Sequence, residues 1–285
     1  MAPPHVVTAP IEPIVRGDLE IHAVPAAVDN LVWLVVDRPT GEAALVDGPD
    51  AEAALAYADG RGIRITAVWN THHHGDHVGI NRDLIARGRL PSRVYGPGRV
   101  ADKVPGLTHP VDEGAAVPLG TSVARVWLTE GHLTGHVSFV LPGVVFCGDT
   151  LFTGGCGRVV EGTHEQLFAS LLRLAELPGD TLVCCAHEYT QDNLRFAWSV
   201  EPENAALAER IRAVWAVRRG GGCAVPSTID EERATNPFLR PGSPAILARL
   251  GPEDRITPGT AFTALRQAKN SGSYRNNPEP APGGT

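Results

Sequence analysis

Between Thr71 and His77 the sequence reads THHHGDH, four imidazoles and one carboxylate within seven residues. Side chains of these types are ligands for divalent cations, and a water held between two cations has its pKa lowered from about 15.7 towards 7, which makes hydroxide available at neutral pH. The spacing is not the helical zinc pattern, in which two histidines stand four residues apart. In extended backbone alternate side chains share a side, so His72 and His74 face together while His73 points away. Gly75 then lets the chain turn and bring Asp76 and His77 round to a second point nearby. Three further candidates stand apart: His132 in LTEGHLTGH, Asp149 in VVFCGDT and His187 in TLVCCAHEY, each just beyond an apolar run that reads as a strand. Singly, each has an ordinary explanation, a core histidine or a turn cap. Together with His72, His74, Asp76 and His77 they supply five imidazoles and two carboxylates, enough for two metal ions.

Charge makes the carboxylates necessary. Two dications about 3.5 Å apart repel by roughly 19 kcal/mol at an effective dielectric near 20. Neutral imidazoles cancel none of this. Asp76, Asp149 and a bridging hydroxide bring three negative charges and leave the centre at about +1, a charge that a protein can house.

The elements that must position these groups are legible as two regimes. From about Leu19 to Tyr189, β-branched runs (NLVWLVV, EAALVD, IRITAVWN, SRVYG, SVARVWL, VSFVL, VVFCGD, TLVCCAH) alternate with helical segments near Ala51 to Ala58 and in HEQLFASLLRLAEL. Pro142-Gly143 joins two of the strands as a hairpin. After Tyr189 the patterns NLRFAWSV, NAALAERIRAVWAVRR and AFTALRQAKN are helical. The expected organisation is an N-terminal extension over 1–17, a sheet-based catalytic domain over 18–190 and a helical domain over 191–285. The extension reads as a flexible arm or edge segment, and the tail NNPEPAPGGT as disordered. TGGCGR lacks the Lys-Ser/Thr of a phosphate loop and reads as a tight turn near the metals; His136 reads as a brace of its loop, and Cys156 has no activating base.

Composition narrows the setting. The formal net charge of -7 gives no general attraction for nucleic acid or an anionic membrane, so an anionic substrate needs a local basic cluster. No apolar run approaches a membrane span, and the N-terminus lacks the basic and apolar regions of a signal peptide. Five cysteines without CxxC spacing read as reduced thiols, and the expected location is cytoplasmic.

THHHGDH, GHLTGH, FCGDTLF and CAHEYT resemble the metal motifs of the metallo-β-lactamase superfamily, an α/β (α+β) fold built as an αββα sandwich with its site at one edge of the two sheets. Within it, GCGRVVEGT, HEYTQDNLRFA, VPSTIDEERATNPFLR and Arg266-Gln-Ala-Lys269 resemble the glyoxalase II (hydroxyacylglutathione hydrolase) family, from about Leu19 to Lys269. The resemblance implies one metal ion on His72, His74 and His132 and another on Asp76, His77 and His187, bridged by Asp149 and the hydroxide, with Asp76 also orienting that hydroxide. It implies two divalent ions per chain, zinc first and iron or manganese as alternatives, and S-D-lactoylglutathione as substrate. Arg158, Arg266 and Lys269 would meet the glycine carboxylate of glutathione, and Tyr189 its peptide backbone. Arg158 stands where the family commonly has lysine, and Val160 where many members have tyrosine. Two other readings compete. A persulfide dioxygenase of the same superfamily would use one iron and typically lacks the helical Arg-x-x-Lys domain. A non-catalytic, metal-dependent module binding glutathione conjugates would be favoured by loss of Asp76 or Asp149, and both are present.

Overall fold

The computed structural model describes residues 4–250 and 256–280. Two sheets face one another. The first has the order β1 (Ile14–Arg16), β2 (Leu19–Ala26), β3 (Asn30–Asp37), β4 (Glu42–Val46), β5 (Ile65–Trp69), β6 (Arg93–Pro97) and β7 (His109–Val111). It is antiparallel as far as β4 and parallel from β4 to β7. The second runs β15 (Ser227–Thr228), β14 (Leu182–Cys185), β11 (Val144–Gly148), β10 (Val137–Leu141), β9 (Ser122–Leu128) and β8 (Ala116–Leu119), with β11 and β14 parallel.

The continuous apolar run NLVWLVV follows from burial on both faces, because alternate residues of a strand point opposite ways. Leu31, Trp33 and Val35 of β3 face the core between the sheets, with Phe139 and Phe146 across from them. Val32, Leu34 and Val36 face outward against Ala54, Leu55 and Ala58 of helix α1 (Glu52–Gly60) and Ile80 and Leu84 of α2 (Gly75–Ala86). Trp69, at the end of β5, is fully buried and stacks on Phe139 of the opposite sheet at 5.0 Å. Trp33 Nε1 donates to the Cys185 carbonyl at 2.8 Å. Burying each such aromatic contributes on the order of 2–3 kcal/mol, and these two lock the sheets together beneath the rim where β5, β11 and β14 end. Pro142-Gly143 makes the expected hairpin, pairing Leu141 with Val144, and Gly143 takes a left-handed φ of 77°.

Helix α3 (His164–Leu174) is opened by a capping box in which Thr163 accepts from Gln166 N. Its residue Phe168 stacks at 5.0 Å on Phe262 of the C-terminal helix α8 (Pro258–Ser271). Between them in sequence lie α4 (Thr190–Val200), α5 (Ala205–Arg219), α6 (Ile229–Thr235) and α7 (Pro244–Leu250). The C-terminal region is not purely helical, because β15 adds to the second sheet beside β14. Two residues are too few to give a strand periodicity, so the sequence shows only helices and loops there.

The flexible reading of the N-terminus is corrected. Ile14–Arg16 is the edge strand, and the residues before it are docked, with Val7 buried and Thr8 N and Ala9 N both donating to Gly221 O. Of the tail, residues 281–285 lie outside the described residues; before them, Arg195 donates to the carbonyls of Arg275 and Asn277. Among the described residues no helix is long and apolar enough to cross a membrane. All five cysteines are free thiols.

Candidate metal centre

The side chains singled out in the heptapeptide and at the three strand ends converge. His72 Nε2 lies 3.2 Å from His74 Nδ1, which is 3.1 Å from His132 Nε2. Beside them, Asp76 Oδ2 lies 3.7 Å from His77 Nε2 and 3.4 Å from His187 Nε2. Asp149 sits between the two groups: Oδ2 is 3.6 Å from His132 Nε2, while Oδ1 is 3.4 Å from His77 Nε2 and 3.5 Å from His187 Nε2. His73 points away, to Lys103 and Glu161.

One detail of the turn differs from expectation. Gly75 does not lie in the left-handed region, and a Cβ there would meet open space. The change of direction comes from α2, which starts at Gly75 with His74 in extended backbone as its N-cap and Asp76 in the first turn. The unpaired N–H groups of a helix start favour a carboxylate there. Glycine is required instead at Gly148, whose φ is +48° and whose Cβ would fall 2.3 Å from Thr71 Oγ1 and 2.9 Å from His136 Nε2.

The hydrogen bonds behind the ring nitrogens fix the tautomers. Thr71 Oγ1 donates to Asp47 Oδ2 at 2.6 Å, so it accepts from His72 Nδ1–H at 3.0 Å, and the Nε2 lone pair of His72 faces inward. His77 Nδ1 donates to Asp47 Oδ2 (2.9 Å), His187 Nδ1 to Asp29 Oδ1 (2.9 Å) and His132 Nδ1 to Arg158 O (2.7 Å). His136 braces the loop as expected: its Nε2 accepts from Asp149 N at 3.3 Å. Burial and the surrounding imidazoles hold His72 well below its ordinary pKa. Burial also opposes the charge on His187, but Asp149, Asp29 and Asp76 outweigh it and push that imidazole up to about 10, so a cation bound at Nε2 would displace the proton there and leave the one on Nδ1 with Asp29. One oxygen and one nitrogen at the centre, Asp149 Oδ1 and His77 Nε2, are buried without any hydrogen-bond partner.

A cavity of about 510 Å³ opens beside this cluster, with His74, His132 and Asp149 at one end and Arg158, Tyr189, Arg266 and Lys269 along its wall. Arg266 and Lys269 are not a solvated helix face; they are 2% and 8% exposed. Arg266 Nη1 donates to Cys156 O at 2.8 Å, on the strand pair β12 (Leu151–Phe152) and β13 (Gly155–Cys156). Lys269 Nζ reaches Asp192 Oδ2 at 3.2 Å, and burial still pushes its pKa down to about 8. Tyr189 stacks on His187 with ring centroids 4.7 Å apart. Val160 is exposed at the rim.

Sequence reading missed five residues around the site. Asp47 follows β4 and Asp29 precedes β3, a position next to a strand terminus like that of the groups that were singled out. Asp192 accepts from Lys269, from Tyr274 OH at 2.6 Å and from Arg275 Nε at 2.8 Å, and this network faces the cavity.

The comparisons agree with this architecture. Residues 27–187 match the model of the metallo-beta-lactamase superfamily, and residues 188–272 that of the hydroxyacylglutathione hydrolase C-terminus. A hydroxyacylglutathione hydrolase of Methylococcus capsulatus is 48% identical over 258 residues, covering 88% of this chain and 98% of its own. One of Gloeobacter violaceus is 45% identical over 253 residues, covering 88% and 98%. Among solved structures, ETHE1 from Myxococcus xanthus shares the fold with a TM-score of 0.60 at 23% identity, over 88% of this chain and 98% of its own. TTHA1623, solved in a di-iron-bound form, gives a TM-score of 0.50 at 27% identity, over 80% and 100%. With both matched segments placed end to end on the sandwich and on the helices that wall its cavity, the chain belongs to the hydroxyacylglutathione hydrolase family of the metallo-β-lactamase superfamily.

Proposed function

We propose that the chain hydrolyses S-D-lactoylglutathione to D-lactate and glutathione with two divalent cations at this centre. The observation that carries the reading is Asp149, whose two oxygens face two separate sets of inward nitrogen lone pairs, with Asp149 Oδ1 and His77 Nε2 left unpaired in a buried place. Buried acceptors aimed at one another are costly unless a cation lies between them, so the donor set fits such ions. His72, His74 and His132 would hold one, Asp76, His77 and His187 the other, and Asp149 both. When bound, such ions supply hydroxide at neutral pH and polarise the thioester carbonyl. Asp47, Asp29 and the Arg158 carbonyl keep the imidazole lone pairs aimed inward. Asp76, partly exposed, would orient the attacking water, and a thiolate leaving group needs no strong general acid. Zinc is the proposed metal, with iron or manganese as alternatives for a mixed imidazole and carboxylate set.

The substrate-binding wall joins the helical region after residue 190 to Arg158 and Tyr189 before it. Arg158, Arg266 and Lys269 offer positive charge to the glycine carboxylate of glutathione, and Tyr189 a hydroxyl to its peptide. Arg266→Ala is expected to raise KM for glutathione thioesters by about 10- to 100-fold, the worth of a charge-assisted hydrogen bond, and to spare thioesters without glutathione. Equal loss on both classes, or no loss, removes the ground for glutathione. Because Lys269 loses its proton near 8, kcat/KM should fall as pH rises through that value, and Lys269→Arg should abolish the fall. A pH profile of the two proteins decides it.

Metal analysis with a thioester assay tests the whole reading. About two ions per chain with loss of thioester absorbance supports it. One iron, oxygen uptake and an intact thioester would point to the persulfide dioxygenase instead, and two ions without turnover to a binding module.

A further inference from the structure

The residues before β1 lie outside both matched family segments, yet they reach the centre in two steps. Val7 N donates to His5 Nδ1 at 2.8 Å, so the His5 ring carries its proton on Nε2 and donates it to Asn30 O at 3.0 Å. Val6 N donates to Val28 O at 2.8 Å, and the Val7 side chain is 4% exposed. At its far end the arm is tied to the end of α5: Arg218 Nη2 donates to Val6 O at 2.7 Å, and Thr8 N and Ala9 N to Gly221 O at 2.9 and 3.0 Å.

What the arm grips is the turn between β2 and β3, which holds half of the centre in place. Asp29 Oδ1 accepts from His187 Nδ1 at 2.9 Å, and Asp29 O accepts from Glu188 N at 2.9 Å. Asn30 Nδ2 reaches Asp76 Oδ2 and Asp76 O, each at 3.4 Å. Ala27 in the same turn has a φ of 50°, a left-handed conformation that a residue with a Cβ holds only when its surroundings fix it. The His72, His74 and His132 group is held by Thr71, Asp47 and the Arg158 carbonyl, none of which the arm's hydrogen bonds reach.

We infer that the N-terminal arm is a positioning device for the Asp76, His77 and His187 half of the centre, with His5 as its positioning residue. This deepens the two-cation reading and rests on it. The arm fixes the 27–30 turn, the turn fixes the His187 ring and the Asp76 carboxylate, and one of the two cation sites is tightened while the other is left alone.

The test is a zinc titration of the chelator-stripped full chain against a chromogenic competitor, run on the native protein, His5→Ala, His5→Gln and Arg218→Ala. Loss of a partner behind a ligand weakens metal binding by about 10–100-fold, and His5 acts one step further out, so the low end of about 10-fold is expected for one ion only. The other ion keeps its affinity, glutamine restores the donor to Asn30 O and with it the affinity, and Arg218→Ala repeats the selective loss by releasing Val6 O, next to His5. Unchanged affinities in both His5→Ala and Arg218→Ala overturn the inference. So does a parallel loss at both ions with a lowered melting temperature, which would mark general loosening, or a failure of glutamine to restore. A native chain that takes up fewer than two ions overturns instead the reading beneath.

Discussion

Asp149→Asn is expected to lower kcat/KM by about three orders of magnitude, roughly 4 kcal/mol of transition-state stabilisation. The substitution keeps shape and changes charge at the one side chain shared by both ligand groups. Without its negative charge, roughly 19 kcal/mol of bare repulsion between two dications is opposed by one carboxylate fewer, and the second ion is released. The asparagine amide can donate where Asp149 Oδ1 now faces the inward nitrogens of His77 and His187. The stripped protein should therefore melt no lower than the native stripped chain, while its metal content drops towards one ion. Thermal melts and metal analysis of the same preparations check this. A large drop in the melting temperature of the stripped variant would show that Asp149 acts on the fold.

Asp47→Asn is expected to weaken both ions, where Asp29→Asn weakens one. Asp47 accepts from Thr71 N at 2.8 Å, from Thr71 Oγ1 at 2.6 Å and from His77 Nδ1 at 2.9 Å, and through Thr71 it orients His72. It thus stands behind one imidazole of each group. Asparagine tolerates the left-handed φ of 53° at this position, so the backbone is kept. Its amide has one acceptor oxygen for three donors, and the tautomers of both rings are no longer enforced. At about 10–100-fold in affinity for each disturbed ligand, the loss spreads over two sites, and kcat/KM at limiting metal should fall by about 10³-fold. Zinc titrations of the two variants side by side decide it: an Asp47→Asn protein with one ion unaffected would refute the shared role.

The inner residues of the centre were legible because each stands at a strand end, where an imidazole or carboxylate is out of keeping with the apolar run before it. Asp47 follows a strand too, but VDGPD reads as a turn, since Asp, Gly and Pro are turn formers in their own right. Its partner His77 lies thirty positions on, and the partner of Asp29 lies 158 positions on, separations that leave no local pattern. The sandwich was legible for the reason that made β3 obvious: a strand buried on both faces must be apolar throughout. Helical spacing placed Arg266 and Lys269 on one face of α8 but could not tell that Cys156, Gly157 and Asp192 would enclose them. Asp192 stands one residue before the helical pattern NLRFAWSV, and its cationic partners, Lys269 of α8 and Arg275 beyond it, lie 77 and 83 positions on.

The most direct measurement is an anomalous-scattering map of crystals grown with zinc. The account predicts two peaks about 3.5–4 Å apart, one beside His72, His74 and His132, the other beside Asp76, His77 and His187, with an Asp149 oxygen on each. A single peak, with the Asp149 carboxylate turned away from one group, would contradict it.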